Sequence, residues 1–298
     1  MTDDGKGLSR RDLVRVSTGF AVAKMLGLRR ASGEGTASRA SRVVLIRRIE
    51  ALDDGGEPVP DVLHDMLNEA VVALFDVESS DRAWRMVITP DDVVGIKSNV
   101  WKHLRTPVGL EEALRHEVLS VGVKPSDVAV DDRGVRENPV FQRATALINV
   151  RPMRTHNWSG LGTCLKNLIM FVPRPPEYHD DACAPLGAMW KLPELEGKVR
   201  LNVLVMLTPQ FHGLGPHSFS REFVWPYCGL IVGTDPVAVD ATGARIIQAR
   251  RNLYFGEDRP ISPRPHHIVY ADTRYGLGNS DPDRIELIRL GTAEGSLI

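Results

Sequence analysis

Cysteine is scarce: Cys164, Cys183 and Cys228 are the only three in 298 residues. They are too few and too scattered for a disulfide framework. They also lack the close spacing of an iron–sulfur or zinc module. Neither sign of charge is in excess, since 37 Lys and Arg face 38 Asp and Glu for a formal net charge of -1. A global basic footprint for nucleic acid is therefore excluded. No apolar run approaches the ~20 residues of a membrane span. What remains is ordinary globular composition, 43% hydrophobic and 25% charged. That excludes a mainly disordered chain, and the length suffices to bury a core without staples.

The near-neutral sum hides an uneven distribution. Residues 1–48 carry 11 basic and four acidic groups, a net of +7, so the remainder stands at −8. Within this head, Ser9-Arg10-Arg11-Asp12-Leu13-Val14-Arg15 resembles a twin-arginine export motif. A weakly apolar stretch from Val16 to Leu28 and an Ala/Ser/Gly-rich segment from Ala31 to Ser41 follow it. The resemblance implies a signal and linker over residues 1–40, the twin-arginine export machinery as a partner, and a periplasmic or extracellular mature protein. Lys24 interrupts the apolar stretch, and no clean Ala-x-Ala site precedes the first strand. The other reading is a basic, disordered or amphipathic N-terminus on a cytoplasmic protein.

From Arg42 onward, short apolar runs alternate with amphipathic segments. Strands are expected at 43–46, 92–97, 127–131, 146–150, 200–207 and 229–233, with further strands at 267–270 and 285–290. Helices are expected at 61–74, 110–121, 163–171 and 236–250, the last capped by Asp235 with Pro236 in its first turn. Such alternation predicts an α/β fold, a mainly parallel sheet flanked by helices. Residues 41–298 are read as one domain with room for two subdomains divided near 150. The segments 173–193 and 209–226 are long proline-punctuated loops of the kind that carry function.

Ligands of open parallel sheets bind beyond the carboxyl ends of the strands. Lys97 and Asn99 follow the second strand, and Asp131 and Asp132 the third. Arg151, Arg154, Thr155 and His156 follow the fourth, His212 and His217 the fifth, and Asp235 the sixth, with Asp240 one turn into the next helix. Turn chemistry alone calls for Gly, Asn, Asp and Ser, not repeated Lys and His.

These residues also carry a resemblance. The stretch Ala146 to Asn167, with Arg151-Pro152-Met153-Arg154-Thr155-His156 and the Lys166-Asn167 pair, is similar to the central motif of the DUF362 family. Gly95-Ile96-Lys97-Ser98-Asn99, Gly215-Pro216 and Asp235-Pro236-Val237-Ala238-Val239-Asp240 resemble three further motifs of that family. The resemblance covers most of the chain from Arg42. Arginine stands at 151 and 154 where the family pattern has lysine, which keeps the charge but removes a readily titrating base. The cysteine module of some members is missing. His156, Gly160 and Lys166 have the spacing of a stretch in the lactate racemase family, where the histidine binds the metal of a nickel-pincer nucleotide.

The candidates then divide by role. Lys97, Asn99, Arg151, Arg154, Thr155, Lys166 and Asn167 suit a small anion, with backbone N–H groups at a helix start assisting. His156 is a metal ligand, a proton-transfer residue or a turn histidine. His212 and His217 complete a metal site with it or are surface residues. Asp132, Asp235 and Asp240 are also candidates for the substrate site, although Asp132 reads equally as a metal ligand or a turn residue, Asp235 as a cap, and Asp240 as a buried carboxylate paired with Lys97 or an arginine. Lys97, His156 and Lys166 are the catalytic candidates. The expected function is an exported enzyme that binds a small anionic substrate with a metal or metal-containing cofactor, for isomerase or redox-type chemistry. The alternatives are metal-assisted hydrolysis of a phosphate or carboxylate ester and a non-catalytic periplasmic binding protein.

Overall fold

A computed structural model describes residues 40–213, 215 and 219–298. The twin-arginine segment and His217 lie outside the described residues. Residues 40–298 form one compact unit.

The strands are β1 (Ser41–Arg47), β2 (Val94–Lys97), β3 (Val128–Asp131), β4 (Ala146–His156), β5 (Gly160–Gly162), β6 (Val199–Gln210), β7 (Gly229–Gly233) and β8 (Ile285–Gly291). They make one sheet in the order β3-β2-β4-β6-β7-β1-β8, with β5 hairpinned onto β4. The β3-β2-β4-β6 run is parallel, as is β1 beside β8. β7 runs antiparallel to both its neighbours. This is the α/β, mainly parallel architecture that the alternation predicts. Residue 150 falls inside β4, in the middle of the sheet.

The principal helices are α1 (Pro60–Phe75), α2 (Ser80–Val87), α3 (Val108–Ser120), the single turn α4 (Cys164–Asn167), α5 (Pro236–Phe255) and α6 (His266–Thr273). α1 buries Leu63, Met66, Leu67, Ala70, Val71 and Leu74, the three-and-four spacing of one helix face. The sheet separates two apolar cores. Val44, Ile46, Ile148 and Val150 face α1 and α3, while Val43, Leu45, Leu147 and Met153 face α4 and α5. Strand alternation thus assigns neighbouring residues to opposite cores.

Three expectations are corrected. The strand expected at 267–270 is helix α6, because His267, Ile268 and Ala271 are buried together at helical rather than alternating spacing. The helix expected over 163–171 is one α-turn followed by a 3-10 segment at Leu168–Phe171. The fourth strand does not end at Val150. It continues to His156, held by β6 as far as Gln210 and by β5 from Gly160 to Gly162.

Candidate functional site

On β4, Leu147, Asn149, Arg151 and Met153 share a face by strand alternation, so two polar residues interrupt an apolar core. Asn149 pairs in register with Lys97 on β2 and with Asn202 on β6. A buried polar layer therefore crosses three strands at one level. The Asn149 amide donates to Asn202 Oδ1 and to the Cys164 carbonyl, each at 3.0 Å. Asn167 at the end of α4 is the hub. Its amide donates to Asn149 Oδ1 at 2.9 Å and to the Lys97 and Val150 carbonyls at 3.2 Å, and its Oδ1 accepts from Asn99 at 3.2 Å.

Four cationic side chains converge above this layer, all buried: Lys97, Arg151, Arg154 and Lys166. Lys97 Nζ donates to the Ser98 carbonyl at 2.7 Å and pairs with Asp132. Arg151 donates to the Thr163 carbonyl, and Arg154 to Asn99 Oδ1, both at 3.2 Å. The Arg154 guanidinium also lies over the Trp101 ring, 4.3 Å from its centroid. Lys166 has no carboxylate partner among the described residues, and its nearest hydrogen-bonding atom is Cys183 Sγ at 3.5 Å. Among the described residues, the Nε atoms of Arg151 and Arg154, Thr155 Oγ1 and both amide atoms of Gln210 are buried without a hydrogen-bond partner.

Burial dominates the titration of this cluster. It pulls Lys97 down to about 8, only partly offset by Asp132, and Lys166 down to about 8, with Cys183 the main opposing influence. It lowers Arg151 to about 10, and it lowers Arg154 too, with Arg151 adding to the effect. His156 is held far below its ordinary value by burial and then by Lys166, Arg151 and Arg154, so its ring is neutral. Its Nδ1 accepts from the Trp158 backbone N–H at 3.2 Å, which leaves the ring proton on Nε2. Asp132 sits below the usual carboxylate range, because Lys97 and the Val100 N–H outweigh its burial.

Asp240 does not pair with Lys97. From α5 it accepts the Cys164 and Leu165 N–H groups at 2.9 and 2.8 Å, the free donors at the start of α4. Burial nevertheless raises it to about 7. It anchors the turn that carries Lys166 and Asn167. Asp235 does not reach the cluster. β7 is antiparallel, so its carboxyl end points away from the strand ends that carry Arg151, Arg154 and His156. There Asp235 caps α5 through the Val237 and Ala238 N–H groups and also binds Ser41 and the Asn279 N–H. His212 faces Arg251, Phe223 and Phe255, whereas His156 faces Trp158. The structure thus shows no shared set for these two histidines.

Several contributors were not legible as site residues. The His179 ring lies tilted against Trp158, 4.2 Å between ring centroids. Cys183 reaches Lys166 from a run of three consecutive non-glycine residues with positive φ, Asp181, Ala182 and Cys183 (46°, 52° and 65°). Such strain persists only where its surroundings enforce it. Buried His267 lies 3.5 Å from Thr163 Oγ1. The Trp101 ring also meets His103 and Phe219 edge to face. Those two help line a cavity of about 650 Å³ that also presents Lys102, Arg105 and Arg221.

A family model described as a domain of unknown function (DUF362) matches residues 86–245, just over half of the chain. All four cations, Asp132, His156, Asn167, Cys183 and Asp240 lie within that span. No curated protein and no solved structure matches the chain.

Proposed function

The chain belongs to the DUF362 family, and from that premise we propose that it binds a small phosphate- or carboxylate-bearing molecule in the buried cationic cluster. The observation that carries this is an imbalance of buried charge. Among the described residues, Lys97, Arg151, Arg154 and Lys166 are set against two buried carboxylates, Asp132 and Asp240, with part-buried Asp131 also acting on Lys97. Uncompensated buried charge is costly, and an anion removes that cost while occupying the unpartnered guanidinium Nε donors. Arginine supplies forked donors to an oxyanion and lysine supplies point charge. The cavity lined by His103 and Phe219 carries Lys102, Arg105 and Arg221, but none of the four cations lines it, so the proposal rests on the cluster alone.

The chemistry this arrangement favours is proton transfer. Lys166, brought to about 8 without a carboxylate partner, has about a tenth of its amine unprotonated at pH 7 and can take a proton beside a held anion. The neutral His156 Nε2–H is a donor suited to developing negative charge. An isomerase-type reaction next to an anionic group therefore fits better than metal-assisted ester hydrolysis. A bare metal ion does not fit here. The surroundings of His156 are cationic, and its Nδ1 is engaged while Nε2 carries the proton.

The test is calorimetric titration of the protein with inorganic phosphate and a panel of small carboxylates and phosphate esters. Saturable one-to-one binding that Arg154→Met weakens at least tenfold supports the proposal. Absence of binding across the panel, or equal binding by the variant, overturns it. Proton exchange from a bound ligand into deuterated water distinguishes an enzyme from a simple binder. Export through the twin-arginine route is proposed on Arg10 and Arg11. A fusion of residues 1–45 to a reporter should leave the cytoplasm, and Arg10→Lys with Arg11→Lys should retain it there.

A further inference from the structure

A second polar cluster lies on the other helical layer. His64 on α1 and His116 and Glu117 on α3 each present one donor atom, and the three atoms lie within 4.8 Å of one another. The two imidazole rings meet edge to face with centroids 5.2 Å apart. The Glu117 carboxylate is buried, and among the described residues no Lys or Arg pairs with it. It accepts from His64 Nε2, from the Asn68 amide at 3.0 Å and from Ser120 Oγ at 3.4 Å. Asn68 is itself fixed by the Trp84 indole N–H at 2.7 Å.

We propose that His64, His116 and Glu117 bind a divalent transition-metal ion of the zinc class, with further coordination positions open to water or an external ligand. Two imidazole nitrogens and one carboxylate oxygen form the borderline donor set that such ions take. The separations require small side-chain adjustments to reach ~2.0–2.2 Å bonds. The ion supplies the positive charge that the buried carboxylate lacks. Binding replaces the His64–Glu117 hydrogen bond with two metal bonds, while Asn68, held by Trp84, keeps orienting the carboxylate as outer-shell partners do. A purely structural polar tie accounts for His64, Asn68 and Glu117. It gives no reason for exposed His116 to bring a third donor atom to the same point. The site shares no residue with the anion cluster, so either proposal can fail without the other.

The full-length protein, stripped with a chelator, is titrated with Zn(II) by calorimetry and with Co(II) by visible absorption. One equivalent should bind, with a cobalt spectrum of low coordination number and a rise in melting temperature on zinc addition. His116→Ala removes an exposed side chain and should fold normally by circular dichroism, yet bind at least tenfold more weakly. His64→Ala and Glu117→Gln should weaken binding similarly, whereas His266→Ala should not. Lack of saturable one-equivalent binding, or a His116→Ala variant within twofold of the parent, overturns the assignment.

Discussion

Lys166 is the residue on which the proposed chemistry turns. A buried ammonium without a carboxylate partner is a liability to the ligand-free fold. Lys166→Met keeps the length and removes the charge. It should therefore raise the melting temperature by a few degrees, about 2–4 °C per kcal/mol in a chain of this size. It should also abolish proton exchange in the bound ligand. A variant that loses stability would show that Lys166 is needed for packing. Asn167 has the opposite character. Asn167→Leu takes one hydrogen bond each from the Lys97 and Val150 carbonyls, Asn149 Oδ1 and the Asn99 amide, so it should cost about 2–4 kcal/mol in chemical denaturation. Lys97 and Lys166 were legible in the sequence because a charged residue directly beside apolar ones must find a partner, and Arg154 because it follows a strand. Cys183 and His179 were not, since nothing in the 173–193 segment indicates that it folds back over Lys166.

At the scale of elements, the β4–β5 hairpin and the α4 turn hold the cluster together. Two glycines in β5 serve different ends. A Cβ on Gly160, at φ +72°, would lie 2.0 Å from the Pro263 carbonyl oxygen, whereas one on Gly162 would lie 2.6 Å from Arg151 Nη2. Gly160→Ala should therefore destabilise the fold, read as a lower denaturation midpoint. Gly162→Ala should leave the midpoint within ~1 kcal/mol while displacing the guanidinium and weakening anion binding at least tenfold. Equal effects in both assays would show that β5 is only scaffolding. The apolar runs of β1, β2, β3, β6 and β7 could be read directly. The direction of β7 could not, because a run such as Gly-Leu-Ile-Val-Gly carries no polarity, and pairing with β6 and β1 decides it. The cap role of Asp235 was legible, whereas its separation from the other strand-end residues was not.

For the whole molecule, the buried groups make stability and binding respond oppositely to pH. Lys97 and Lys166 titrate near 8 when folded and at 10.5 ordinarily, so between these values the unfolded chain holds more protons. The contribution of these lysines to ligand-free stability should rise over that interval. Anion affinity should fall over the same interval, as their charge is lost. Asp240 is raised from 3.8 to about 7, so its contribution is full below 3.8 and declines as pH approaches 7. Denaturation curves from pH 4 to 10, compared with Lys166→Met, test these signs. A variant whose slope above pH 8 matches the parent would refute the lysine assignment.

The sequence by itself determined the class of fold, most of the elements and the types of residue at the strand ends. Apolar periodicity is a local property, and a charge set among apolar residues is visible without coordinates. Tertiary structure decided which of those charges meet. It paired Lys97 with Asp132 rather than Asp240, gave Asp240 to the start of α4, and separated Asp235 from the cluster. Such choices depend on strand order, strand direction and register, which arise from contacts between residues far apart in the chain. The scarcity of cysteine, first an argument only against staples and metal modules, acquired a particular meaning there, since Cys183 lies against the one buried lysine of the cluster that no carboxylate neutralises.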